Sequence, residues 1–131
     1  MRLDAAEAAK RIGLLTFTDH QKQFSVDPLL FGDVVLARKE TPASYHLAVV
    51  VDDAFQGVTL VTRGEDLFSA THIQRVLQAL LGLPEPRYAH HRLILDETGK
   101  KFSKRDRAVT LRSLRESGVT PTQICERITN H

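Results

Sequence analysis

Val58-Thr59-Leu60-Val61-Thr62, followed by Arg63-Gly64-Glu65-Asp66, is the stretch that decides the fold. The first five residues are β-branched or apolar and read as a strand. The Arg-Gly-acid run reads as a loop. Beyond it Phe68, Ile73, Val76, Leu77, Leu80 and Leu81 recur at three- and four-residue spacing, and Gly82 and Pro84 stop the pattern. That is an amphipathic helix with its terminator. Strand, loop and helix in this order predict an α/β layer.

Working outward, Tyr45-His46-Leu47-Ala48-Val49-Val50-Val51 is a near-continuous apolar run. It predicts a strand buried on both faces. The segment 52–57 is too short for a crossover helix, so the two strands pair antiparallel or lie apart in the sheet. Upstream, residues 3–12 read as a helix stopped by Gly13. Leu14–Phe17 and Gln21–Val26 read as short strands, and Asp33–Arg38 as another. Downstream, His90–Leu95 reads as a strand, 96–99 as a turn, and 100–107 as a loop with five basic residues in eight. Two helices close the chain. One runs from Thr110 to Glu116. The other opens at Thr120-Pro121-Thr122-Gln123, a capping box with proline in first position.

Composition sets the outer limits. The chain has 131 residues, 42% hydrophobic and 26% charged, enough for one packed domain or a piece of one. No run approaches the ~18 apolar residues of a membrane span. The acids Asp4 and Glu7 stand where a secretory leader would be apolar. The one cysteine, Cys125, excludes an internal disulfide framework and a cysteine-cluster zinc site. A reducing, cytoplasmic location is the expectation. Net charge is only +2, so the basic loop is a local feature that suits a phosphate-bearing ligand better than a broad nucleic-acid face.

Three sets of residues suggest chemistry. In Lys101-Phe102-Ser103-Lys104-Arg105, two ammonium groups, a hydroxyl and backbone amides can converge on a polyphosphate. A solvated surface loop is the alternative. Tyr45, entering a buried run, offers a phenol to a polar ligand; a core tyrosine with its hydroxyl at the rim is the alternative. Arg63, at a strand end, can grip a carboxylate with a bidentate fork; an ion pair with Glu65 or Asp66 is the alternative. The scattered histidines 20, 46, 72 and 131 form no metal-ligand spacing, and His90 and His91 precede the basic loop.

The Lys101–Arg105 pattern resembles the Lys-Met-Ser-Lys-Ser loop of class I aminoacyl-tRNA synthetases, in the Lys-Leu-Ser-Lys-Arg form of the glutamyl branch with Phe102 for leucine. The blocks Tyr45–Asp53, Gly57–Thr59 and Arg63–Leu67, at consistent spacing through Arg75, Leu77 and Leu80 to His90-His91, are similar to the second half of that branch's catalytic domain. The resemblance covers roughly 30–118. The wording of Leu47–Thr59 looks most like the glutamyl-queuosine tRNA(Asp) synthetase family, whose members lack an anticodon-binding domain.

The resemblance implies roles. Tyr45 and Arg63 would bind the substrate glutamate. Lys104, Ser103 and Ile94 would bind ATP, with Lys104 and Lys101 as the catalytic lysines. Asp66 and Arg105 would lie near tRNA or phosphate, and His90 and His91 would pack near the adenine pocket. ATP with Mg²⁺, L-glutamate and tRNA would be the substrates and partners, without a membrane, in a monomer. Asp106-Arg107 departs from the commoner glycine-containing continuation of the loop.

No His-Ile-Gly-His-type motif follows a first strand, and the family's middle zinc site has no cysteines here. The expected organisation is residues 1–30 as the end of an inserted subdomain or linker, 31–106 as the second half of the Rossmann-type catalytic domain, and 107–131 as C-terminal helices. The chain alone is expected not to make glutamyl-adenylate. A fragment of a conventional glutamyl-tRNA synthetase and a non-catalytic tRNA-binding paralogue are the competing readings.

Overall fold

The computed structural model describes residues 1–95, 99 and 110–129. These divide into two compact units, 1–91 and 92–131. In chain order the elements are α1 (Ala5–Ile12), β1 (Thr16–Asp19), β2 (Lys22–Ser25), α2 (Tyr45–Gln56), β3 (Leu60–Gly64), a 3₁₀ turn (Glu65–Leu67), α3 (Ala70–Leu81), β4 (Arg87–His91), α4 (Leu111–Glu116) and α5 (Pro121–Thr129).

The first unit is built on a four-stranded sheet in the order β2-β1-β4-β3. β1 and β2 pair antiparallel, with Phe17 opposite Phe24. β3 and β4 pair parallel, with Val61 opposite Tyr88 and Arg63 opposite His90. β1 also runs parallel to β4. α3 is the crossover between β3 and β4, so these three elements form a βαβ unit. The α/β expectation holds.

α3 packs on α1, α2 and β1. Val76 is fully buried, and Ile73 and Leu77 nearly so. Phe17, also fully buried, stacks on Phe24 at 5.5 Å and meets Phe68 and Tyr88 edge-on at 5.5 and 5.8 Å. These aromatics make the seam between sheet and helix layer. A second cluster joins Leu36, Val50 and Leu77 with Leu3, Val34 and Leu47 around it.

Three expectations are corrected. Tyr45–Val51 is the first part of a helix, not a strand. Ser44 caps it by accepting from Leu47 N–H, and Gly57 ends it in the left-handed region at φ 67°. Val58 N–H reaches Asp53 O and Gly57 N–H reaches Ala54 O, closing a Schellman motif. With twelve residues between cap and stop, the burial of Val50 against α3 overrides the β-branched preference of Val49-Val50-Val51. Second, Asp33–Arg38 is not a strand. Val35 makes one bridge to Arg2, because the short N-terminal segment is its only ladder partner among the described residues. Third, the strand before the basic loop is Arg87–His91, earlier than the expected His90–Leu95. It starts where Arg87 N–H bonds Thr59 O beside β3.

In the second unit, α4 is capped by Thr110 and Ser113 reciprocally. The capping box expected before α5 is present: Thr120 Oγ1 accepts from Gln123 N–H at 3.3 Å, and Gln123 Oε1 from Thr120 N–H at 2.9 Å. Arg92 donates to Ile128 O at 2.9 Å.

Candidate active site

Three parallel strands change character on one face, two residues at a time. Phe17 gives way to Asp19 on β1, Val61 to Arg63 on β3, and Tyr88 to His90 on β4. The apolar members lie under α3. The polar members gather at the carboxyl ends of the strands, where open α/β sheets bind their ligands.

Register brings Arg63 and His90 side by side. Arg63 Nε donates to His90 Nε2 at 3.0 Å. Its Nη1 donates to Gln74 Oε1 at 2.7 Å and its Nη2 to Thr71 Oγ1 at 2.6 Å. The guanidinium also lies over the Tyr88 ring, 5.4 Å from its centroid. Three of the five N–H groups thus go to neutral acceptors, and the other two meet no acceptor among the described residues. One N–H on Nη1 and one on Nη2 remain, so this half-buried cation at a strand end can still take an anion.

Asp19 supports the same cluster from β1. It is 7% exposed, accepts from His90 N–H at 3.0 Å, and lies 3.2 Å from His90 Nδ1. Burial pushes the His90 imidazole below its ordinary value, with Asp19 opposing and Arg63 adding to the shift. The Arg63 charge also reaches α2. It lowers His46, whose shift is mainly due to burial, and it moderates the upward shift that burial gives Asp53.

The sequence-predicted residues fall in different places. Arg63, expected just after a strand ending at Thr62, lies inside β3, which starts later and runs on to Gly64. Tyr45 is the first residue of α2, not part of a buried strand; it is half exposed, its ring 5.5 Å from that of His46. Asp66 sits in the 3₁₀ turn after β3, and Ile94 is exposed in the second unit. Lys101, Ser103, Lys104 and Arg105 lie outside the described residues.

Sequence reading missed Asp19, Thr71, Gln74 and the role of His90 beside Arg63. One signal was present. Thr71, Gln74 and Gln78 stand at i, i+3 and i+7, so they share a face of α3. All three are buried, and Gln78 donates to the Tyr88 hydroxyl at 3.1 Å. Among the described residues no group of three or more His, Cys, Asp or Glu could hold a metal ion, and no helix is long and apolar enough to cross a membrane.

Comparisons with known proteins show the family of the chain. Residues 15–130 match the family model described as tRNA synthetases class I (E and Q), catalytic domain. Over 93 residues the chain is 61% identical to the glutamyl-Q tRNA(Asp) synthetase of Rhodobacter capsulatus, covering 71% of this chain and 34% of that protein. It is 43% identical over 90 residues to glutamate–tRNA ligase 2 of Syntrophus aciditrophicus, covering 69% of this chain and 18% of that one. The fold superposes with a TM-score of 0.61 on a glutamate tRNA ligase from Elizabethkingia meningosepticum solved in complex with its amino acid, at 33% identity over 72% of this chain and 19% of that chain. The chain therefore spans about a third or less of the length of these relatives. With the family model covering nearly all of it, the chain belongs to the catalytic-domain family of the class I glutamyl and glutaminyl tRNA synthetases.

Proposed function

We propose that this chain is the glutamate-binding part of a ligase that activates glutamate with ATP and transfers it to tRNA, with the queuosine base of tRNA(Asp) as acceptor. The observation that carries the reading is Arg63: a buttressed guanidinium at a strand end with two N–H groups left over. A substrate carboxylate is the natural complement of that fork. The 61% identity to a glutamyl-Q tRNA(Asp) synthetase, against 45% to a glutamate–tRNA ligase, supports that acceptor.

In this reading Tyr45 contacts the amino acid beside Arg63. Lys104, Ser103 and Ile94 bind ATP, whose phosphates carry Mg²⁺. Lys104 and Lys101 offset the charge that develops as the glutamate carboxylate displaces pyrophosphate from the α-phosphate. Asp66 and Arg105 lie toward tRNA. Residues 31–106 form the second half of the catalytic domain, 1–30 the end of an insertion and 107–131 the closing helices, in a cytoplasmic monomer. The remaining part of the catalytic domain is supplied by the complete enzyme of which this segment is a piece.

Glutamate-dependent ATP–pyrophosphate exchange in that complete enzyme tests the reading. Arg63→Ala should raise the glutamate KM by about ten- to a hundredfold, the worth of a charge-assisted contact on the order of 1.5–3 kcal/mol, while the ATP KM holds. A glutamate KM within about twofold of wild type would remove Arg63 from the substrate site. Charging of tRNA(Asp) bearing queuosine, set against tRNA(Glu), decides the acceptor.

A further inference from the structure

The Arg63–His90 contact fixes the hydrogen on the imidazole. A guanidinium N–H can only donate, so His90 Nε2, 3.0 Å from Arg63 Nε, is the bare accepting nitrogen. The ring proton of the neutral imidazole therefore sits on Nδ1. That nitrogen lies 3.2 Å from Asp19 Oδ1, an atom that cannot donate when ionised. Nδ1 makes no aligned hydrogen bond there, so Asp19 favours the same tautomer through the closeness of its carboxylate. Asp19 and His90 are both buried, and a buried carboxylate is costly unless its neighbours use it.

We propose that Asp19 and His90 are positioning residues for Arg63: Asp19 holds the His90 imidazole as its Nδ1–H tautomer, and Nε2 then aims the guanidinium so that its two spare N–H groups face the substrate carboxylate. The inference rests on the reading of Arg63 as the glutamate contact. Thr71 and Gln74 fix the Nη ends, and His90 fixes the Nε end, so the fork is held from three sides. Glutamate then meets a donor pair already in place, without the loss of side-chain freedom on binding.

Two measurements test this. Long-range ¹⁵N–¹H spectra of the 131-residue chain at neutral pH report the tautomer directly. His90 should be neutral with its proton on Nδ1. Asp19→Asn keeps an oxygen for His90 N–H but can turn its amide toward Nδ1, so the Nε2–H tautomer should gain population. In the complete enzyme, Asp19→Asn and His90→Phe should each raise the glutamate KM about tenfold and leave the ATP KM in place. His90→Phe keeps the ring packing on Tyr88 and Phe68 without an acceptor. His90→Gln restores an acceptor oxygen and should stay within about threefold of wild type.

A wild-type His90 carrying its proton on Nε2 would overturn the inference. So would equal glutamate KM values for His90→Phe, His90→Gln and wild type in an enzyme where Arg63→Ala is impaired. If Arg63→Ala itself changes nothing, the reading of Arg63 as the glutamate contact fails instead, and the imidazole spectra still decide whether Asp19 sets the tautomer.

Discussion

α2 and α3 are each twelve residues long and pack against one another, yet they spend their residues in opposite ways. α2 carries the more apolar sequence, Tyr45-His46-Leu47-Ala48-Val49-Val50-Val51 onward, but buries only Val50 fully. Phe55 and Val51 lie 90% and 43% exposed. α3 carries Thr71, Gln74 and Gln78 and buries all three, while Leu80 and Leu81 are exposed at its end. Apolar character in these helices does not report depth. α3 lies over the sheet, and its buried polar residues face groups that need hydrogen bonds: Arg63 and the Tyr88 hydroxyl. α2 packs through Val50, with Leu47 and Val49 beside it, in the cluster with Leu36 and Leu77.

The contrast is sharpest in stability. Leu77→Ala should destabilise the fold by about 2–5 kcal/mol, because it empties the α3 side of the Leu36–Val50–Leu77 cluster. Phe55→Ala on α2 removes a larger side chain, yet should stay within about 0.5 kcal/mol, since that ring is already in water. Urea unfolding of the two variants gives the comparison. Similar midpoints would mean that Phe55 is packed in the folded chain and that α2 is buried more deeply than its exposure indicates.

Much of this was legible in the residues. The periodicity of α3, its Gly82 stop, the Thr120–Gln123 cap and the strand carrying Arg63 can be read from spacing and cap chemistry, because both act locally. α2 could not be read that way. Its valines favour a strand locally, and only the pairing of Ser44 with Gly57, with twelve residues between them, spoke for a helix. The site was half legible. An arginine at a strand end is a visible feature. Its supports come from β1, α3 and β4, and what joins them is the register of β3 with β4, which no local pattern encodes.

A smaller effect asks whether the polar face of α3 is structural support or solvent compromise. Thr71→Val preserves shape and removes the acceptor for Arg63 Nη2. Leaving that N–H unmatched in a largely buried site should cost about 1–3 kcal/mol of stability. The same substitution should also weaken glutamate binding in the complete enzyme. Unchanged thermal unfolding together with an unchanged glutamate KM would show that water satisfies Nη2 and that the Thr71 hydroxyl is not needed to hold the guanidinium.

The smallest effect is a pH dependence, and it also separates the two helices. Burial lowers the imidazoles of His46 on α2, His72 on α3 and His90 on β4 below their ordinary value. Around His90 the charged or titratable neighbours are Asp19, Arg63 and His20; Asp27 faces His72. A group whose folded value is lowered binds fewer protons folded than unfolded. Stability should therefore be highest above the ordinary imidazole value of about 6.5, fall as the unfolded chain takes up protons below it, and level off once the folded chain protonates too. His72 Nδ1 accepts from Asp27 N–H at 2.9 Å and His90 Nε2 from Arg63, so protonating either ring breaks a hydrogen bond. His46 Nδ1 has no such partner. Replacing His72 or His90 with phenylalanine should flatten the dependence more than His46→Phe does. Thermal midpoints between about pH 5 and pH 8 measure it. A midpoint that holds or rises on acidification, or a slope that disappears only with His46, would place the titration on α2 and reverse the assignment.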